Sequence, residues 1–135
     1  MASRFSAGFT IIELLTVVAI IAVLVSIVAV NVNNYKNKAR DSGIKSTMGQ
    51  VSLAASAYYE GHGGYGAFCN DNVTQALYNS INSPNKRCKA SADRWVVCAR
   101  LNIPSNGTRA WCIDNTGARK EMNDNQCNNG LNLCP

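Results

Sequence analysis

Between Phe9 and Val32 the sequence has no glycine, no proline and, Glu13 excepted, no ionisable side chain; no cysteine occurs before Cys69. The first absence removes what breaks or charges a helix, so FTIIELLTVVAIIAVLVSIVAVNV can continue as one helix of roughly 36 Å, enough to cross the hydrocarbon of a bilayer. The second puts all six cysteines, Cys69, Cys88, Cys98, Cys112, Cys127 and Cys134, in the C-terminal part of the chain. No two of them have the Cys-x-x-Cys spacing of zinc or thioredoxin-like redox sites, and an even number in a short exported segment argues for disulfides in an oxidising space. Histidine occurs once, as His62 among Gly61, Gly63 and Gly64, which reads as a loop residue and not as a metal ligand. Carboxylates are scarce: Asp71, Asp93, Asp114, Glu121 and Asp124 show no paired spacing, and no Gly-x-Ser-x-Gly or phosphate-binding loop appears. These absences exclude the common catalytic signatures, so no enzyme activity, cofactor or metal is expected.

What remains prominent is the misplaced charge. A carboxylate in lipid costs several kcal/mol, so Glu13, near the start of the apolar run, needs a reason or a partner. A plain signal anchor would explain the run and Arg4 before it, but not Glu13 or the Gly8-Phe9 pair. A cleaved secretory signal would be cut beyond the apolar region, where Ala19, Ala22 and Ala29 could imitate a site; neither reading accounts for the carboxylate.

The polar leader Met1-Ala-Ser-Arg-Phe-Ser-Ala7, then Gly8, then Phe9-Thr10-Ile11-Ile12-Glu13-Leu14-Leu15 closely resembles the processing site of type IV pilins and pseudopilins. The resemblance implies that a prepilin peptidase cuts after Gly8 and methylates the new amine of Phe9. It also implies that Glu13 is the assembly residue, meeting the amine of a neighbouring subunit in the filament. Many members carry a Pro or Gly that loosens the helix beyond the anchor; this chain offers only Ser26 and the Asn31, Asn33, Asn34 cluster. The partners so implied are the prepilin peptidase, the pilus assembly machinery, the membrane before assembly, and further copies of the chain in a helical homo-oligomer. The implied location is a cytoplasmic or inner membrane with the head outside, then an extracellular pilus.

On this reading residues 1–8 are a cleaved leader, 9–32 the transmembrane and filament-core helix, 33–60 its amphipathic continuation and 61–135 a globular head. The expected fold class is α+β, type IV pilin-like: a long N-terminal helix packed on a small antiparallel sheet and stapled by disulfides. Ile44, Met48, Val51, Ala55 and Tyr58 recur at helical spacing and form one apolar stripe, with Lys38, Asp41, Lys45 and Ser52 assigned to the opposite face. Gly43 and Gly49 each weaken this helix by up to about 1 kcal/mol relative to Ala, so close packing or a bend is expected near them.

Tyr65 to Ala92 reads as a connecting region with one short helix at Asn72 to Ile81, ended by Pro84. Arg94–Leu101 and Thr108–Asp114 are dense in β-branched and aromatic residues around the turn-forming Asn102–Gly107, so they should pair antiparallel about Ser105. Ala118–Met122 would be the third and last strand, followed by an Asn-rich tail. A head of about 75 residues buries little apolar surface unaided, which again calls for staples. Cys69 with Cys88 would close one loop, worth about 3 kcal/mol on the chain-entropy model. Either Cys98 pairs Cys112 and Cys127 pairs Cys134, or the two strand cysteines each hold a tail cysteine, the arrangement that resembles the C-terminal disulfide loop of many pilins.

The formal charge is +5, and loss of Arg4 with the leader would lower it by one to +4. Lys36, Lys38, Arg40 and Lys45 follow the apolar run directly, against the positive-inside tendency if this side is exported. Asn123-Asp124-Asn125 lacks the full oxygen pattern of a calcium loop and reads as solvated tail. The basic residues with Trp95, Trp111 and Tyr78 could contact DNA, although a solvated strand face over buried tryptophan is the preferred reading. Two function classes stay open: a structural subunit of a surface filament, which includes a pseudopilin of a type II secretion system, and a minor pilin whose head binds DNA or a surface.

Overall fold

The computed structural model describes residues 8–104, 106–128 and 130–135, which leaves the leader Met1–Ala7, the centre of the expected hairpin at Ser105, and Asn129 outside the described residues. The chain divides into two units, Met1–Tyr35 and Lys36–Pro135. Helix α1, Ile11–His62, belongs to both.

In the first unit α1 starts with a capping box. The backbone N–H and the hydroxyl of Thr10 both donate to Glu13 Oε2, at 2.9 and 2.7 Å, and the Glu13 N–H donates back to Thr10 Oγ1 at 3.3 Å. Such a reciprocal pair satisfies two of the otherwise orphan donors at a helix start. Deeper in the run, Thr16 donates to the carbonyl of Glu13 and Ser26 to that of Val23, so their hydroxyls need no outside partner. The large apolar side chains from Ile11 to Val28 are exposed, Ile12 at 74%.

The second unit is built in layers. Ile44, Met48, Val51 and Ala55 of α1 are fully buried in one core with Phe68, Ile81, Trp95, Val97, Ala99, Leu101 and Ile113, the expected apolar stripe meeting one face of the sheet. The sheet has four strands in the order β1 (Lys86–Ala90), β2 (Trp95–Arg100), β3 (Arg109–Asp114) and β4 (Arg119–Asn123), all antiparallel. Three strands were expected, and β1 is the addition. Its sequence, KRCKA, looks like loop because Arg87 and Lys89 are exposed, while Lys86, Cys88 and Ala90 alternate as half-buried residues. A charged edge strand of this kind discourages pairing with a foreign strand.

On the other face of the sheet Val96, Cys98, Ala110, Cys112, Met122 and Cys127 form a second cluster under Leu131 and Cys134. Period-two alternation sends Trp95, Val97 and Ala99 to the helix and Val96 and Cys98 to this cluster, which explains why β2 is buried along nearly its whole length. Helix α2, Asn72–Ser80, precedes the sheet, and the tail is not merely solvated, because Asp124–Asn128 forms a short helix, α3, with Asp124 and Cys127 buried. Helix α2 is capped by Asp71, whose carboxylate accepts from the N–H groups of Val73 and Thr74. Disulfides join Cys69 to Cys88 beside the first core, and Cys98 to Cys127 and Cys112 to Cys134 in the second. Cys98 and Cys112 are register partners on neighbouring strands, yet each holds a cysteine of the tail.

Two carboxylates lock the loops. Asp41 was expected on the polar face of α1, but it is only 8% exposed and continues the buried stripe one turn before Ile44. Its oxygens accept from the backbone N–H and side-chain amide of Asn102 at 2.7 and 2.8 Å and from the N–H of Ile103 at 2.9 Å, fixing the β2–β3 connection to the helix. In that connection Gly107 adopts φ 64°, a conformation costly for any residue with a Cβ. Asp114 is 3% exposed; one oxygen accepts from the hydroxyl and N–H of Thr116, and the other from the N–H of Cys134 at 2.8 Å. Burial pushes this carboxyl up, but the Thr116 hydroxyl and the N–H groups of Cys134, Thr116 and Ala118 together outweigh it and hold it below the ordinary carboxylate value. Close packing is absent at Gly43, where a Cβ would meet nothing within 4 Å, whereas one at Gly49 would lie 3.8 Å from the Arg119 guanidinium.

Two outcomes are expected. Asp41→Ala leaves the part-buried N–H groups of Asn102 and Ile103 without an acceptor, so urea unfolding of the full chain in detergent should show a loss of about 1 to 3 kcal/mol; an unchanged midpoint would show that the loop is held by other means. Because the Asp114 carboxyl is lowered on folding, its contribution is fully present above the unfolded-state value and is lost as pH falls through the folded one. Acid unfolding monitored by circular dichroism should therefore lose this component in Asp114→Asn, and superimposable acid limbs for the two proteins would contradict the assignment.

Candidate processing and assembly site

The residues singled out at the start of the chain are Gly8, Phe9 and Glu13. Gly8 lies outside any regular element and is exposed. A Cβ built on it meets nothing within 4 Å, and its backbone is not among the positive-φ glycines. No described residue therefore requires glycine at position 8, in contrast to Gly107, where the backbone does. Phe9 is 83% exposed. Glu13 sits one turn into α1 with Oε2 engaged by Thr10, while its Oε1 accepts no hydrogen bond among the described residues. The capping box thus orients the carboxylate and leaves one oxygen open for a donor from elsewhere.

Other candidates are absorbed by the second unit. His62 is the last residue of α1 and not a loop residue; its ring stacks on Tyr58 at 4.0 Å, with Nδ1 3.0 Å from the Tyr58 carbonyl. Trp95 is buried, Lys45 lies 4.4 Å over the ring of Trp111, and the Tyr78 hydroxyl donates to the carbonyl of Lys86. Lys86 also lies 5.0 Å over the ring of Tyr78. Asp124 opens α3 with its carboxylate 4.0 Å from the Arg100 guanidinium. Among the described residues no group of three His, Cys, Asp or Glu side chains could hold a metal.

Two further acids of the second unit, Glu121 and Asp93, are paired with cations. Glu121 accepts from Arg109 at 2.8 Å and from Lys45 at 3.0 Å, and these bonds, Arg109's first, hold its carboxyl below the usual range. Asp93 is likewise lowered by the neighbouring Arg94 and by Ser91. Both are surface pairs and contribute little stability. Sequence reasoning overlooked Asp41 and the second role of Asp114. The signal for Asp41 was present, since it stands three residues before Ile44 and thus on the apolar stripe.

The chain thus combines a long N-terminal helix, a small disulfide-bonded antiparallel sheet and an exposed Gly-Phe junction before a capped carboxylate. Residues 3–29 match the family model described as Prokaryotic N-terminal methylation motif, so the chain carries the signature of a type IV pilin or pseudopilin-type prepilin. Comparison with curated proteins and with solved structures gives no match. Helix α1 is long and apolar enough to cross a membrane by length and composition.

The open space around Gly8 makes a specific test available. Gly8→Trp should be tolerated by the chain itself and refused by an enzyme shaped for a residue without a side chain. Intact-mass analysis should then find precursor accumulating with residues 1–8 attached. A mature chain in that variant, or one beginning anywhere but Phe9 in the wild type, would overturn the assignment.

Proposed function

We propose that the chain is the structural subunit of a type IV pilus. It is cleaved after Gly8 by a prepilin peptidase, methylated at Phe9, held in the membrane by α1 and then polymerised by the pilus assembly machinery into an extracellular filament for adhesion, motility or DNA uptake. The observation that carries this reading is Glu13, a carboxylate with one open oxygen in an exposed apolar helix. The amine of Phe9 in a neighbouring copy supplies what the carboxylate lacks, and in an apolar core such a pair is favoured because either charge alone would be strongly disfavoured. Once anchors pack side by side, the side chains from Ile11 to Val28 are covered by their equivalents in other copies. The three disulfides support a final location in an oxidising space.

Two variants separate assembly from capping. Glu13→Gln retains a side chain that can complete the capping box and removes the charge, whereas Glu13→Ala removes both. Both should give processed, membrane-held subunits with a folded head, and surface filaments should vanish or shorten in both. Normal filament yield from Glu13→Gln would show that the carboxylate is needed only to start the helix, and normal yield from Glu13→Ala would exclude any assembly role.

A further inference from the structure

The basic cluster just beyond the apolar run is not used by the assembly reading. Lys36, Lys38 and Arg40 are all exposed and are the first charged side chains after Val32. None of the ion pairs among the described residues involves them. Asp41, the nearest acid in sequence, is buried and turned to the β2–β3 connection, and the other acids of the second unit except Glu60 are bound to backbone amides or to other cations. A second copy has the same committed acids, with Glu60 the exception, at the far end of α1 from these cations.

Their placement around the helix indicates what does. At roughly 100° per residue, Lys36 and Arg40 lie about 40° apart and Lys38 lies about 160° from each. Such a set surrounds the helix and does not mark one docking face. Tyr35, immediately before it, is 69% exposed, and exposed tyrosine at the end of an apolar span is characteristic of the membrane–water boundary. An aromatic residue followed by cations on several sides is what a helix leaving a bilayer presents to headgroups.

We propose that Tyr35, Lys36, Lys38 and Arg40 form an interfacial collar that binds the phosphates of anionic phospholipids around the anchor before assembly. The tyrosine ring sits at the headgroup level and the three cations recruit anionic lipid in preference to zwitterionic lipid. The inference rests on the membrane-anchored reading of α1 and adds the class of lipid that the anchor selects.

The test uses the full mature chain in nanodiscs of mixed phosphatidylcholine and phosphatidylglycerol, with the lipid that stays bound on gentle detergent extraction counted by mass spectrometry. The wild type should retain phosphatidylglycerol several-fold above its bulk share, less so as salt is raised. In the triple variant Lys36→Gln, Lys38→Gln, Arg40→Gln the retained ratio should fall to the bulk value. A control triple variant with the same charge loss elsewhere in the second unit, Arg87→Gln, Arg119→Gln, Lys120→Gln, should keep the enrichment. Enrichment that survives the collar variant, or that is lost equally in the control, would overturn the collar. Incorporation without any enrichment would overturn it while leaving the anchor intact, and failure to incorporate at all would overturn the anchored reading and the collar with it.

Discussion

The constraint on which the structure depends is an apolar helical surface left uncovered from Ile11 to Val28. In water, exposure on this scale opposes solubility, because each large aliphatic side chain withdrawn from water contributes roughly 1.5 to 3 kcal/mol. The polar groups of the run are consistent with a non-aqueous surrounding: Thr16 and Ser26 bond to carbonyls of their own helix, and Glu13 is tied to Thr10. Among the described residues one oxygen of this carboxylate stays unmatched, and an unmatched charge in such a surface is a strong determinant of what can cover it. A bilayer covers the apolar side chains and leaves the charge unpaired. Copies of the same helix cover both, provided that a free amine starts the neighbouring chain, which is why cleavage at Gly8 and assembly through Glu13 belong to one proposal.

The apolar surface from Ile11 to Val28 contributes nothing to a core, so the second unit must fold from the rest of the chain. The second unit does so by using α1 as one layer, the sheet as the next and the tail as a third, so that a small sheet is covered on both faces. The tail supplies few large apolar residues, and its attachment falls to Cys98–Cys127, Cys112–Cys134 and the carboxylate of Asp114. Loops of 29 and 22 residues between bonded cysteines are of the size for which loop-closure entropy gives about 3 to 4 kcal/mol each. Nearly every acid in this unit holds a loop, a helix start or a neighbouring cation, which leaves the surplus of positive charge facing outward.

Much of this was legible in the sequence where one physical signal dominated. The anchor, the buried stripe on α1 and the two central strands were readable because apolar periodicity and β-branched residues agree with the layer that each element occupies. Strand β1 was not, because an edge strand faces water along one side and its lysines and arginine conceal a two-residue period visible only through Cys88 and Ala90. Asp41 was misplaced because an acid is normally assigned to a solvated face, yet the amides of the β2–β3 connection make a buried carboxylate the better acceptor there. The helix Asp124–Asn128 was hidden in an Asn-rich segment whose order comes from a disulfide and not from its own propensity. At Gly8 the sequence was more informative than the fold, since no described residue lies within 4 Å of a Cβ placed there.

The central claim, that this helix is trimmed to a new amine and then buried among its own copies, is tested most directly on the wild-type chain recovered from filaments sheared off the cell surface. Intact mass should correspond to a single species starting at methylated Phe9 with all six cysteines oxidised. Filaments that lack the chain, or that contain it with residues 1–8 still attached or with an unmethylated amine, would contradict the account.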